Sequence, residues 1–117
     1  MSMRFEDLEV WKRSARLSCD IYKDFAECRD FGFKDQITRA GLSVPSNIAE
    51  GYERFSNKDT IRFSYYAKGS CAELRTQIYI AMEIELLTKE SGKQRLNETV
   101  DISRMLQGLI QSLRHTS

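Results

Sequence analysis

The chain has 117 residues, 41% apolar and 30% charged, with 18 basic against 17 acidic side chains. That length predicts one domain, residues 1–117, around a single core, and a formal charge of +1 argues against a strongly electrostatic nucleic-acid binder, which shows a basic excess. No run approaches the roughly 18 apolar residues of a membrane span, and Met1-Ser2-Met3-Arg4-Phe5-Glu6 lacks the apolar centre of a signal peptide, so a cytoplasmic protein without a membrane partner is expected.

Four amphipathic segments follow one another. Leu8, Trp11, Ala15, Ser18, Tyr22 and Phe25 alternate spacings of three and four, with Leu17 and Ile21 widening the stripe, and predict a helix over 6–27. Gly32 lies in the break that follows. The second helix is expected over 33–54, with Phe33, Ile37, Ala40, Val44, Ile48 and Phe55 as its core stripe. It holds the only proline, Pro45. An internal proline loses one hydrogen bond and clashes with the carbonyl four residues back, at a cost of about 3 kcal/mol. Here that residue is Gly41, the smallest available. One kinked helix, or two short helices meeting at Pro45, both satisfy this pattern.

Ser56 reads as an N-cap with an acid, Asp59, at the third helical position. A third helix is expected over 57–89, with Phe63, Tyr66, Ser70, Leu74, Ile78, Ala81 and Ile84 in its core stripe. At about 32 residues it would span about 48 Å and protrude beyond shorter neighbours. Gly92 is the expected left-handed stop. The fourth helix is expected over 94–114, through Leu96, Val100, Ser103, Leu106, Ile110 and Leu113. No segment alternates with period two. The predicted fold is therefore all-α, an antiparallel up-down four-helix bundle.

Little in the chain points to chemistry. The only histidine is His115, which argues against a Ser-His or Cys-His nucleophile. Glu83 and Glu85 share no helical face, and the Glu-x-x-His motif of metal-binding bundles is missing. Cys19, Cys28 and Cys71 are odd in number and widely spaced, so neither a zinc site nor a disulfide framework is indicated. A non-enzyme without cofactor or metal is expected.

Two sets of residues are candidates for function. Gln36, Arg39, Ser43, Asn47, Glu50 and Arg54 fall on one stripe of the second helix. With Glu73 they form either a solvated face or a polar seam at which helices or subunits meet. Basic residues cluster at the second interhelical turn (Arg54, Lys58, Arg62) and in the C-terminal segment (Lys93, Arg95, Arg104). The windows 1–29 and 57–90 balance at six against six and five against five, 30–56 has three basic and four acidic residues, and only 91–117 is net basic, four against two.

The runs Phe5-x-x-Leu8-x-Val10-Trp11, Ile21-Tyr22 and Phe31-Gly32-Phe33-x-x-Gln36-Ile37-x-Arg39-Ala40 resemble one known family. So do Ser43-Val44-Pro45-Ser46-Asn47-Ile48-Ala49-Glu50-Gly51, Arg54 and Gly69-Ser70-x-x-Glu73-Leu74. It comprises the four-helix-bundle proteins encoded within intervening sequences of bacterial large-subunit ribosomal RNA genes. The resemblance implies an antiparallel bundle and a ring of subunits, typically five. It also links the chain to the accessory proteins of diversity-generating retroelements, similar bundles that form a pentameric barrel and bind nucleic acid and a reverse transcriptase. Near-neutral charge, Gly41 and Cys71 depart from those patterns. The expectation is a homopentamer that accompanies RNA or DNA as a nucleic-acid or ribonucleoprotein accessory. The alternative is a scaffold that docks a partner enzyme without contacting nucleic acid.

Overall fold

Three of the four helices begin where a short polar side chain takes a free amide of the first turn. The Asp30 carboxylate accepts from Phe33 N–H, the Ser56 hydroxyl from Asp59 N–H and the Thr88 hydroxyl from Ser91 N–H, each at 3.1 Å. In the computed structural model, which describes residues 4–116, the helices are α1 (Glu9–Asp24), α2 (Phe31–Glu53), α3 (Asn57–Glu83) and α4 (Lys89–Arg114). A 3-10 turn, Phe5–Asp7, precedes α1, and there is no strand among the described residues. Each helix runs antiparallel to the neighbours it touches. Phe25 meets Phe33 and Ser18 meets Gly41; Thr60 meets Gly51; Met82 meets Gly92 while Lys68 meets Gln107; Arg13 meets Glu98 and Asp24 meets Arg95. The bundle is 46 Å long and 19 Å across.

Helix α2 passes unbroken through Pro45. Nearby, Ser43 Oγ donates to the Ala40 carbonyl and Asn47 Nδ2 to the Ser43 carbonyl, so two members of the polar stripe are tied to their own helix.

The third helix stops at Glu83 rather than 89. Glu85 takes the left-handed conformation, φ 63°, and the Leu86 and Leu87 amides turn back to the Ala81 carbonyl. Gly92 is not a cap. It lies buried in the first turns of α4, where the Met82 thioether fills the space a Cβ would need. Helix α4 therefore begins five residues earlier than expected and nearly equals α3, 26 residues against 27, so α3 does not protrude beyond it. The short member is α1, with 16 residues.

The core consists of Leu17, Ile21 and Phe25, then Ile37, Val44 and Ile48, then Leu74 and Ile78, then Ile102, Leu106 and Ile110, all at most 2% exposed. The first half of α3 fills it with small side chains, Ser64, Ala67 and Cys71. The larger residues expected there sit elsewhere: Phe63 is half-buried, and Tyr66 is exposed together with Ile84, Tyr22 and Phe55. At its N-terminal end α3 lies close against α2, with Gly51 packed directly on Thr60 and Phe63. Two guanidinium groups fasten α1 to α4. Arg13 donates to both Glu98 oxygens at 2.9 and 2.6 Å and to Asp101 at 3.0 Å, and Arg95 donates to both Asp24 oxygens at 2.6 and 2.9 Å.

Candidate nucleic-acid interface

The basic candidates separate into bound and free groups. Arg95 is held by Asp24, with Asp20 at 3.7 Å, and these carboxylates raise its pKa further. It is a fastening of the bundle. Arg54 pairs with Glu50 at 3.1 Å and Arg62 with Asp59 at 2.9 Å. The Arg62 hydrogen bond, with help from Ser56, holds the Asp59 carboxyl below its ordinary range. Both guanidinium groups also lie over the Phe63 ring, at 4.8 and 4.9 Å from its centroid. Lys58, Lys93 and Arg104 are exposed and, among the described residues, form no ion pair.

Helices α3 and α4 bring Lys58 together with residues that the windowed charge count missed. Lys58, Asn57, Ile61, Leu113 and Arg114 line one pocket of about 330 Å³ where α3 begins and α4 ends. Arg114 Nη2 donates to the Tyr65 hydroxyl at 2.7 Å, and its guanidinium lies 5.5 Å from that ring's centroid. Lys68 approaches the same ring, at 6.0 Å, while its ammonium donates to Gln107 Oε1 at 2.6 Å. Arg104 is one turn before Gln107, and Arg75 is seven residues, two turns, beyond Lys68 on the same side of α3. Residues 60–82 hold three basic side chains and one acid; residues 102–117 hold two and no acid. The one acid, Glu73, lines a different pocket, with Gln36, Arg39 and Ser43. The α3–α4 edge is thus basic within a nearly neutral chain.

The polar stripe does not form a buried seam within the protomer. Gln36, Arg39, Glu50 and Glu73 are exposed, Ser43 and Asn47 half-buried, and Arg39 pairs with Asp35 on the surface. On another side, between α1 and α2, an apolar groove of about 450 Å³ opens among Phe5, Trp11, Tyr22, Leu42 and Pro45. Trp11, Ala15 and Tyr22, expected in the core, form its α1 wall.

A family model described as 23S rRNA-intervening sequence protein matches residues 6–108. The chain belongs to that family. A solved structure with the same fold is that of a protein with unknown function from the S23 ribosomal protein family of Bacteroides thetaiotaomicron. It is 25% identical, with a TM-score of 0.80, over 86% of this chain and 97% of that one. No curated protein matches the chain. The family match contains Lys58, Lys68, Arg75 and Arg104 of the basic edge and ends before Arg114. No helix among the described residues is long and apolar enough to cross a membrane.

Proposed function

We propose that this protein is a non-enzymatic, homo-oligomeric accessory that holds RNA or DNA along its α3–α4 edge. One observation carries the reading: Lys68 and Arg114 converge on Tyr65, with Lys58 beside Arg114, and no carboxylate pairs with them among the described residues. Cations not neutralised by the protein's own acids are the ones that release counterions from phosphate. A ring of about five copies would repeat the edge around its axis, so weak contacts act together. Exposed apolar surface on two different sides, the α1–α2 groove and the outer face of α3 with Tyr66, Ile80 and Ile84, supports a head-to-tail contact of the kind that closes rings. The same groove favours a second reading, a scaffold that docks a partner enzyme such as a reverse transcriptase.

Titration of structured RNA and duplex DNA at several salt concentrations separates the two. Phosphate contacts give an affinity that falls linearly with salt on logarithmic axes, and Lys68→Gln or Arg114→Gln lowers that slope by about one. No binding at low salt removes nucleic acid and leaves the scaffold.

A further inference from the structure

Phe55 breaks two rules at once. It continues the apolar stripe of α2, yet its side chain is 81% exposed. It also takes φ 56°, a left-handed conformation rare for a bulky residue and suited to glycine or asparagine. The turn does not drift into that shape. Arg54 and Phe55 amides close onto the Gly51 and Tyr52 carbonyls, Ser56 caps α3, and the Thr60 hydroxyl donates to the Gly51 carbonyl. A strained backbone held from both sides keeps an aromatic ring in water, and such strain persists where the surroundings over-determine it.

Arg54 precedes Phe55, and Arg54 and Arg62, paired with Glu50 and Asp59, lie against the Phe63 ring; the cations of this end that form no ion pair among the described residues are Lys58 and Arg114. Two residues beyond Phe55, Asn57 lines a pocket together with Lys58, Ile61, Leu113 and Arg114. Two apolar side chains beside two cations suit a flat base with its phosphate.

We infer that this end of the bundle binds single-stranded nucleic acid, with one base against Ile61 and Leu113 and the next stacked on Phe55. Duplex DNA or RNA keeps its base faces covered and cannot use either surface, whereas every unpaired base can. The inference rests on the nucleic-acid reading above and adds the strand state and the residues that read it.

The probes are RNA and DNA single strands of about 12 nucleotides, within the usual site sizes, and the same sequence as duplex. They are titrated into the full chain by fluorescence anisotropy at fixed low salt. The expected result is tighter binding of the single strand, with Phe55→Ala costing about tenfold in single-strand affinity and nothing in duplex affinity. Phe55→Trp retains the affinity. Phe55→Asn relaxes the backbone, so it raises the melting temperature while lowering single-strand binding, a split that a packing role cannot produce. A preference for the RNA or the DNA strand identifies the source and supports the inference equally. Equal single-strand and duplex affinities, indifferent to Phe55, overturn it while the phosphate-binding reading stands. Loss of all binding overturns both. A fall in assembly mass on Phe55→Ala, with affinity per chain unchanged, makes Phe55 a contact between copies and also overturns it.

Discussion

Gly41, Gly51 and Gly92 all lie inside helices, and their surroundings set different outcomes for the same change to alanine. At Gly51 the new Cβ would sit 2.8 Å from the Phe63 Cβ and 3.2 Å from the Thr60 Cα, both fixed by their own helix. Helices α2 and α3 must part, so Gly51→Ala is expected to cost about 1–3 kcal/mol in denaturant unfolding. At Gly92 the clash is with the Met82 thioether, the free end of a flexible chain. Gly92→Ala should cost less, and its cost should shrink in a Met82→Ala background, a coupling that a double-mutant cycle measures. At Gly41 the nearest atom, the Ser18 Cα, is 3.7 Å away, ordinary contact. Gly41→Ala should therefore stabilise by up to about 1 kcal/mol through helix propensity alone, and a loss there would tie Gly41 to the accommodation of Pro45 four residues on. Cys71 gives a pH dependence. Burial pushes its thiol up to about 12, while Cys19 is exposed. Above the ordinary cysteine range, near 8.5, the unfolded thiol has lost its proton and the folded one keeps it, so stability falls as pH rises toward 12. Cys71→Ala should flatten that part of the stability profile, and a thiol reagent at pH 8 should label Cys19 well before Cys71.

Between elements, burial decides which ion pairs matter. Asp24 and Arg95 are about one-eighth and one-fifth exposed, and their two-bond contact joins the end of α1 to α4. Asp24→Ala strands the guanidinium in that joint and should cost about 1–3 kcal/mol, because a removed partner leaves a desolvated charge. Glu50 and Arg54 are about half exposed and lie four apart on α2. Glu50→Ala should change stability by no more than about 0.5 kcal/mol, unless a second copy covers the stripe; a much larger loss in thermal melts would place that surface in an interface. Helix periodicity and the Ser56 cap were legible because both are local. The α3–α4 boundary was not, because Gly92 after Glu90-Ser91 reads as a stop while the real stop, Glu85 with φ 63°, carries no glycine. The core stripe of α3 was legible in its second half, where Leu74, Ile78 and Ala81 are buried, and misread in its first, because two stripes share the helix and packing against α2 and α4 buries Ser64, Ala67 and Cys71 rather than Phe63 and Tyr66. The basic edge escaped the charge count because residues 57–90 balance in sequence. Their acids are spent elsewhere: Asp59 on Arg62, Glu73 in the α2–α3 groove, and Glu83, Glu85 and Glu90 at the opposite end of α3 from Lys58.

At the scale of the whole molecule, the proposed assembly is tested on the outer face of α3. Gly69 lies mid-helix with no atom near the place of a Cβ, although glycine costs about 1 kcal/mol there relative to alanine. Ala72 is also exposed, and Tyr66, Tyr79 and Ile80 stand in water along the same helix. A helix that keeps small residues among exposed apolar ones has room for a close neighbour, and the α1–α2 groove offers a differently shaped apolar surface on another side. A contact between unlike surfaces runs head to tail, and it closes into a ring where its rotation allows and extends into a filament where it does not. Light scattering should give about 68 kDa, five times the 13.6 kDa chain. Leu42→Asp in the groove and Gly69→Trp on α3 should each reduce that mass toward the protomer while circular dichroism stays helical. Gly69→Ala, too small to block a neighbour, should keep the assembly and raise the protomer's stability. A mass near twice the protomer would mean that one face pairs with itself, and a stable wild-type monomer at micromolar concentration would remove the ring and, with it, the multiplication of weak phosphate contacts on which the proposed nucleic-acid binding relies.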